Sequence, residues 1–322
     1  MTNILITGSL GQIGAELVDK FREKYGADHV IATDIKQQPH DTHSQGPYEY
    51  LNVLDKDRFT ELIVNYEIDW LVHNASVLSA TGERNPKLAL DVNIRGFENA
   101  IELAKQYNLR ILSPSSIAAF GPTTPKINTP DFTIMRPTTI YGVSKVYIEL
   151  LGEYYHQKWD VDFRSLRYPG IISWKSPPGG GTTDYAVEIF HEALKNKQYT
   201  SFLDRNTILP MMHIDDCLLG TVQLMEANDA IFTQRTFNLA AVSFSPQELA
   251  VEIQKHIPDF EITYEPDYRQ EIAKTWPESI DDSEARKQWN WQHQYDLSNL
   301  VIDMFHNLSD KLGIPFQSMA TH

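Results

Sequence analysis

Ile4-Leu5-Ile6-Thr7-Gly8-Ser9-Leu10-Gly11-Gln12-Ile13-Gly14 is the stretch from which the fold of this chain is read. Three apolar residues and a β-branched threonine suit a buried strand, and glycines at every third position follow without a gap. From Gly11 to Lys24 the apolar side chains recur at helical spacing, so a strand, a glycine turn and a helix succeed one another. Such a turn lets backbone N–H groups and a helix N-terminus close on a pyrophosphate, with no Cβ in the way. Gly8, Gly11, Gln12, Ile13 and Gly14 are the residues expected to face it. The spacing is G-x-x-G-x-x-G rather than G-x-G-x-x-G, and a plain glycine turn between a strand and a helix would read the same way.

Context strengthens the nucleotide reading. Asp34 ends a second apolar run, Val30–Asp34, and its carboxylate can accept hydrogen bonds from adenosine ribose hydroxyls. The same charge repels a 2′-phosphate, which favours NAD over NADP, although Lys36 close by keeps NADP open. Asn52 and Val53, after a third short strand, are placed to touch the adenine. His73-Asn74-Ala75-Ser76 leaves a further strand with small side chains, so that Asn74, Ala75 and Ser76 can bring the backbone close to a cofactor.

The rest of the first half repeats this alternation. Strands are expected at Ile4–Thr7, Val30–Asp34, Trp70–His73, Arg110–Ser113 and Phe163–Arg167, with helices at Gly11–Lys24, Asp55–Asn65, Pro86–Gln106 and Ile140–Gln157. Apolar strands separated by amphipathic helices predict an α/β fold: a doubly wound parallel sheet of the Rossmann type, with ligands at the carboxyl ends of the strands. After Pro169 the texture changes, and Ser176-Pro177-Pro178-Gly179-Gly180-Gly181 breaks the pattern. Residues 1–170 are read as an NAD-binding domain to which later segments return. Residues 171–322 are read mainly as a smaller substrate-binding lobe, with helices near Asp184–Lys195, Asp215–Glu226 and Pro246–Lys255.

Tyr141-Gly142-Val143-Ser144-Lys145 puts a phenol and an ammonium at i and i+4, on one face of a helix. A phenol with a pKa of about 10 is a poor base at neutral pH, and a neighbouring ammonium favours its phenolate. Tyr141 can then take the proton of a substrate alcohol while Lys145 also holds a nicotinamide ribose. The same spacing occurs in many helices as a solvated pair; its place after the fifth strand, downstream of Ser113-Pro114-Ser115-Ser116, marks it as chemistry. Ser116 carries a hydroxyl able to stabilise charge on the reacting oxygen.

Composition excludes other classes. Lys and Arg number 28 against 43 Asp and Glu, a formal net charge of −15, so nucleic acid and anionic membranes are not expected partners. No apolar run reaches the roughly 20 residues of a membrane span, and no basic leader precedes the first strand, which predicts a cytoplasmic protein. Cys217 is the single cysteine, so it can form no internal disulfide. Eleven histidines provide no Cys/His ligand set. His40-x-x-His43 lies in a polar loop, His213-Ile214-Asp215-Asp216 reads as a strand end with capping aspartates, and no metal is expected.

Taken together, the glycine motif, Asp34, the Asn-Ala-Ser turn, Asn93, Ser116 and the Tyr141/Lys145 pair resemble the extended short-chain dehydrogenase/reductase superfamily across the whole first domain. The resemblance implies that Asn93 sits on a helix organising the active site and is one of the cofactor-binding residues. It implies that Tyr168-Pro169-Gly170-Ile171 is the loop beside the nicotinamide, with Ile171 at the cofactor. It also implies a homodimer formed by pairing the helices near Asn93–Gln106 and Ile140–Gln157 into a four-helix bundle.

Within that superfamily the chain resembles the short-chain L-threonine 3-dehydrogenase family. The likeness rests on Ser115-Ser116-Ile117-Ala118-Ala119-Phe120-Gly121-Pro122, Gly179-Gly180-Gly181-Thr182-Thr183-Asp184-Tyr185, Leu209-Pro210-Met211-Met212 and Trp276-Pro277. It implies NAD-dependent oxidation of the 3-hydroxyl of L-threonine to L-2-amino-3-oxobutanoate. Ser116 and Tyr141 then bind that hydroxyl, Ser79 and Thr182 line the pocket, and Trp276 helps to close it. Independently, Gly179–Thr183 leads into a helix whose N–H groups and positive dipole end can receive a carboxylate. Two alternatives stand beside this reading: a nucleotide-sugar 4-epimerase or dehydratase using the same Tyr/Lys pair, and a non-enzymatic NAD-binding scaffold.

Overall fold

A computed structural model describes residues 2–37 and 45–316. The central sheet is wholly parallel. Its strands are β1 (Ile4–Thr7), β2 (Val30–Asp34), β3 (Tyr48–Tyr50), β4 (Trp70–His73), β5 (Arg110–Leu112), β6 (Ser115–Ser116) and β7 (Phe163–Tyr168). Thr236–Asn238, which is β11, returns from far along the chain to pair with β7. The order is β3-β2-β1-β4-β5-β7-β11, with β6 continuing beside β7. The strand order therefore reverses between β1 and β4, where a doubly wound sheet opens its ligand crevice.

Burial on both faces explains the unbroken apolar strands. Ile4 and Ile6 pack with Leu17, Phe21 and Cys217 on one side, on helices α1 (Gln12–Tyr25) and α8 (Ile214–Glu226). Leu5, one residue out of phase, packs with Phe59, Phe97 and Ile148 on the other side, on α2 (Lys56–Asn65), α5 (Gly96–Tyr107) and α6 (Ile140–Trp159). A period of two thus feeds two cores from one strand.

The expected helix over Pro86–Gln106 is present but not uniform. It begins as α4 (Pro86–Ala89), widens into a π-helical turn over Leu90–Arg95, and continues as α5. Apolar periodicity does not distinguish a π turn from the α-helix around it. A short helix, α3 (Ser79–Arg84), precedes this run.

Two smaller sheets complete the architecture. β8 (Gly170–Ile172), β10 (Leu209–His213) and β12 (Val242–Phe244) form one; β9 (Gln198–Ser201) and β13 (Glu261–Tyr264) form the other. Around them pack α7 (Tyr185–Asn196), α9 (Pro246–Gln254), α10 (Tyr268–Ala273) and α12 (Leu297–Leu312), whereas α11 (Ser283–Trp289) packs on β11 of the central sheet, Trp289 against Phe237. A separate apolar core that includes Phe190, Leu249, Met304 and Phe305 holds much of this region together. Gly170 and Ile171 of β8 line the crevice, and the chain runs on from β8 to the glycine-rich turn at residues 179–181.

Candidate active site

The glycine turn is built for close approach. Gly8 has φ +67°, a left-handed conformation that glycine adopts freely, and a Cβ on Gly14 would lie 2.1 Å from the Gly8 carbonyl oxygen. Gly11 caps α1 with no side-chain hydrogen bond, and the first turn carries no acidic residue, so the amide end of α1 is left open to an anion. Asp34 accepts a hydrogen bond from the Leu10 amide at 3.1 Å, which ties the end of β2 to this turn.

A buried relay fixes the opposite wall. The Ala75 amide donates to Thr7 Oγ1 at 3.2 Å, so the Thr7 hydroxyl proton is free to go to His73 Nδ1, 3.1 Å away. Burial, with a smaller contribution from the Lys145 charge, pushes the His73 pKa down to about 3. His73 therefore stays neutral and serves the backbone of the Asn74–Ser76 turn.

Ser116 and Tyr141 come from different elements and meet at the crevice. Thr139 caps α6 through the Gly142 amide, and Glu83 of α3 accepts from the Ile140 amide at 2.8 Å. Gly142 is the second position where glycine is required, because a Cβ there would lie 2.2 Å from the Ala118 carbonyl oxygen. That approach brings α6 onto the Ser116–Ala119 turn, where Ser116 comes near enough to the Tyr141 phenol to lower its pKa, while the Ser116 hydroxyl accepts from the Ala118 amide at 3.2 Å.

Burial dominates the electrostatics of the pair. Burial raises the Tyr141 pKa to about 12, against the lowering effect of Ser116. Burial lowers Lys145 to about 8, against the raising effect of Glu149. The Lys145 ammonium lies 5.3 Å from the centre of the Tyr141 ring and donates to the Pro114 carbonyl at 2.7 Å.

Ser116, Tyr141, Lys145 and the glycine turn open onto one cleft of ≈ 590 Å³, within the roughly 300–1,000 Å³ typical of small-molecule sites. One end, at the glycine turn, is lined by Gly8, Gly11, Gln12, Ile13, Gly14, Asp34, Asn52 and Val53. Asn74, Ala75, Ser76 and Ile171 line its middle, and Ser79, Ser116, Tyr141, Lys145, Thr182 and Trp276 line its far end.

One expected residue stands apart. Asn93, on the π turn, does not line the cleft: its Oδ1 accepts from the Val77 amide, and its Nδ2 donates to the Val77 carbonyl and to Ser144 Oγ. It braces the wall from behind. Among the described residues no group of three or more His, Cys, Asp or Glu side chains could hold a metal ion, and no helix is long and apolar enough to cross a membrane. His40 and His43 lie outside the described residues.

The model of the NAD dependent epimerase/dehydratase family matches residues 4–240 of the sequence. The chain belongs to that family. A glycine cradle that a Cβ would fill, with a carboxylate at the end of β2, fits the nicotinamide cofactor its members use. The mitochondrial L-threonine 3-dehydrogenase of Bos taurus is 50% identical over 313 residues, covering 96% of this chain and 84% of that protein. The crystal structure of L-threonine dehydrogenase from Phytophthora infestans is 55% identical with a TM-score of 0.94, covering 96% of this chain and 100% of that one. A monomeric L-threonine 3-dehydrogenase from a metagenome is 45% identical with a TM-score of 0.92, covering 96% and 99%.

Within the family fold, sequence reading missed several groups at the site. Asp184 lines the far end of the cleft, and its carboxylate accepts from the Gly179 and Gly181 amides at 2.6 and 2.8 Å. Two amides of the glycine-rich turn are thus already engaged by the chain itself. Lys126 donates to the carbonyls of Lys274 and Trp276 at 2.7 and 2.9 Å, holding the segment that presents Trp276. The Lys126 contacts have no local signal, because the carbonyls they fix lie about 150 residues away.

Proposed function

We propose that this protein oxidises the 3-hydroxyl of L-threonine to L-2-amino-3-oxobutanoate with NAD as the electron acceptor. The observation that carries the reading is the convergence of Tyr141, Ser116 and Lys145 where the dinucleotide cradle meets the Gly179–Asp184 turn. Relatives named as L-threonine dehydrogenases at 45–55% identity over nearly the whole chain support the choice of substrate.

When bound, NAD supplies the hydride acceptor. Tyr141 takes the hydroxyl proton, Lys145 favours its phenolate through its positive charge, and Ser116 donates to the oxygen on which charge develops. Asp34 is the acceptor for the ribose hydroxyls and selects NAD over the 2′-phosphorylated cofactor. Gly8, Gly11, Gln12, Ile13 and Gly14 receive the pyrophosphate, Asn52 and Val53 the adenine, and Asn74, Ala75, Ser76 and Ile171 the middle of the cofactor. Asn93 acts from behind, as a brace. Ser79 and Thr182 bind the amino acid, Thr182 by donating to its carboxylate, and the Asp184 carboxylate suits its ammonium. Trp276 closes the end of the pocket.

The chemistry asks for no metal. The active protein is a cytoplasmic homodimer: Val143, Leu150 and Tyr154 form an exposed row on α6, 44%, 58% and 46% accessible, which suits pairing into a four-helix bundle. The monomeric relative makes the association state a direct question, answered by light scattering.

The test of function follows NADH absorbance in a buffer containing a metal chelator, with L-threonine, L-allo-threonine, L-serine and a UDP-sugar in parallel. Signal with L-threonine alone is expected. Turnover of the UDP-sugar in place of threonine, or activity restored only by zinc, would overturn the reading.

A further inference from the structure

Behind the reacting groups lies a buried polar cluster that the chemistry above does not use. Glu149 is on α6, one turn beyond Lys145, and only 2% of it is exposed. Arg167 of β7 donates to both of its oxygens, at 2.9 and 2.8 Å. The Ser115 hydroxyl of β6 donates to the same carboxylate. Arg167 in turn donates to the Asp131 carbonyl at 2.7 Å and to Asn238 Oδ1 at 3.1 Å.

Each partner adjoins a residue that faces the cleft. Ser115 precedes Ser116, Arg167 precedes Tyr168, and Glu149 shares a helix face with Lys145 and Tyr141. One carboxylate therefore joins the strand bearing the hydroxyl donor, the strand leading to the nicotinamide side and the helix bearing the base.

Its charge matters as well as its bonds. The charged or titratable groups around it are Arg167 from β7, Lys145 and Glu153 from its own helix, and Asp131 beyond Arg167. Lys145 itself faces Tyr141 on α6 and neutral His73 on β4. Among the described residues Glu149 is the acidic group that bears on the Lys145 ammonium, in a region where burial opposes that charge.

We propose that Glu149 is a positioning residue for this reaction: it locks Ser116, Tyr141 and Lys145 in register through Ser115 and Arg167, and sets a carboxylate one helical turn from the Lys145 ammonium. The proposal deepens the reading of the same site given above and rests on it for the reaction concerned. A carboxamide in place of the carboxylate keeps the shape and removes the charge. A purely structural brace would lose stability without changing how Lys145 titrates.

The test compares Glu149→Gln and Glu149→Asp with the parent protein. Titration of the Lys145 ammonium is followed by NMR of lysine labelled with nitrogen-15 in the cofactor-free protein, with Lys145→Arg assigning the signal. E149Q is expected to lower the Lys145 pKa by about one unit and kcat about tenfold, with NADH affinity measured by fluorescence unchanged. E149D, which keeps the charge, is expected to restore most of the titration shift. An unmoved Lys145 titration in folded E149Q overturns the proposal.

Should E149Q fail to fold, E149D and Ser115→Ala carry the question. Both are expected to lower kcat at least fivefold at unchanged NADH affinity, and parental kcat in both overturns the proposal. The titration needs no substrate, so an enzyme that ignores threonine would sink the assigned reaction while leaving the Glu149–Lys145 coupling separately measured.

Discussion

The Lys145 ammonium stands 5.3 Å from the centre of the Tyr141 ring, held there by a 2.7 Å hydrogen bond to the Pro114 carbonyl. The two groups are one helical turn apart, yet the link between β5 and β6 supplies the anchor. Burial separates their proton affinities, with the ammonium near 8 and the phenol near 12.

That order sets the pH dependence. The productive pair combines a phenolate with an ammonium. Below about pH 8 both groups hold their protons, so the productive population grows about tenfold per pH unit; above it the population levels off, because proton loss from the lysine offsets gain of the phenolate. The kcat/KM for threonine is expected to rise towards pH 8 and flatten. Lys145→Met leaves the rise to follow the phenol alone, towards higher pH. A K145M profile superimposable on that of the parent protein would remove Lys145 from the chemistry.

Gly14→Ala tests the cradle. The added Cβ would lie 2.1 Å from the Gly8 carbonyl oxygen and 2.9 Å from its carbon, both backbone atoms that cannot rotate away. Overpacking of this kind costs about 1–3 kcal/mol. The variant should melt at lower temperature and lose the upward shift that NAD gives the parent. A G14A protein with parental melting temperature and cofactor response would show that the turn does not hold the pyrophosphate.

Asp34→Ala tests cofactor choice. Removing the carboxylate takes away the acceptor for the ribose hydroxyls and the charge that repels a 2′-phosphate. A lost charged hydrogen bond of about 1.5–3 kcal/mol corresponds to a rise of about tenfold or more in the KM for NAD. NADP should gain at the same time. Unchanged ratios of kcat/KM for the two cofactors would show that Asp34 does not read the ribose.

Local pattern carried much of this architecture. β1, β2 and β4 lie where the apolar runs Ile4–Thr7, Val30–Asp34 and Trp70–His73 put them, because a strand buried on both faces leaves an unbroken signal. Helix ends moved by a residue or two, as at Gln12–Tyr25. The short strands Gln198–Ser201 and Glu261–Tyr264 were not foreseen: half-exposed and mixed in polarity, they are defined by pairing with each other across some 60 residues.

The site was legible to the same degree. Tyr141, Ser116, Lys145 and the glycine turn follow from spacing and from their place at strand ends. The brace formed by Asn93, the Pro114 anchor of Lys145 and the Glu149–Arg167 pair are contacts between distant segments, and periodicity does not encode them. Asp184 was quoted within a motif, but its grip on the Gly179 and Gly181 amides is a property of the folded turn.

Replacing Tyr141 with Phe removes one oxygen and leaves the cradle untouched, so it addresses proton transfer and little else. The measurement is NADH formation from L-threonine in a single turnover, with NADH affinity determined on the same protein by fluorescence. A loss of about 10²–10⁴-fold in rate at unchanged affinity is expected of a general base. A Y141F enzyme that still forms NADH within a few-fold of the parental rate would contradict the account, since the proton would then have another acceptor.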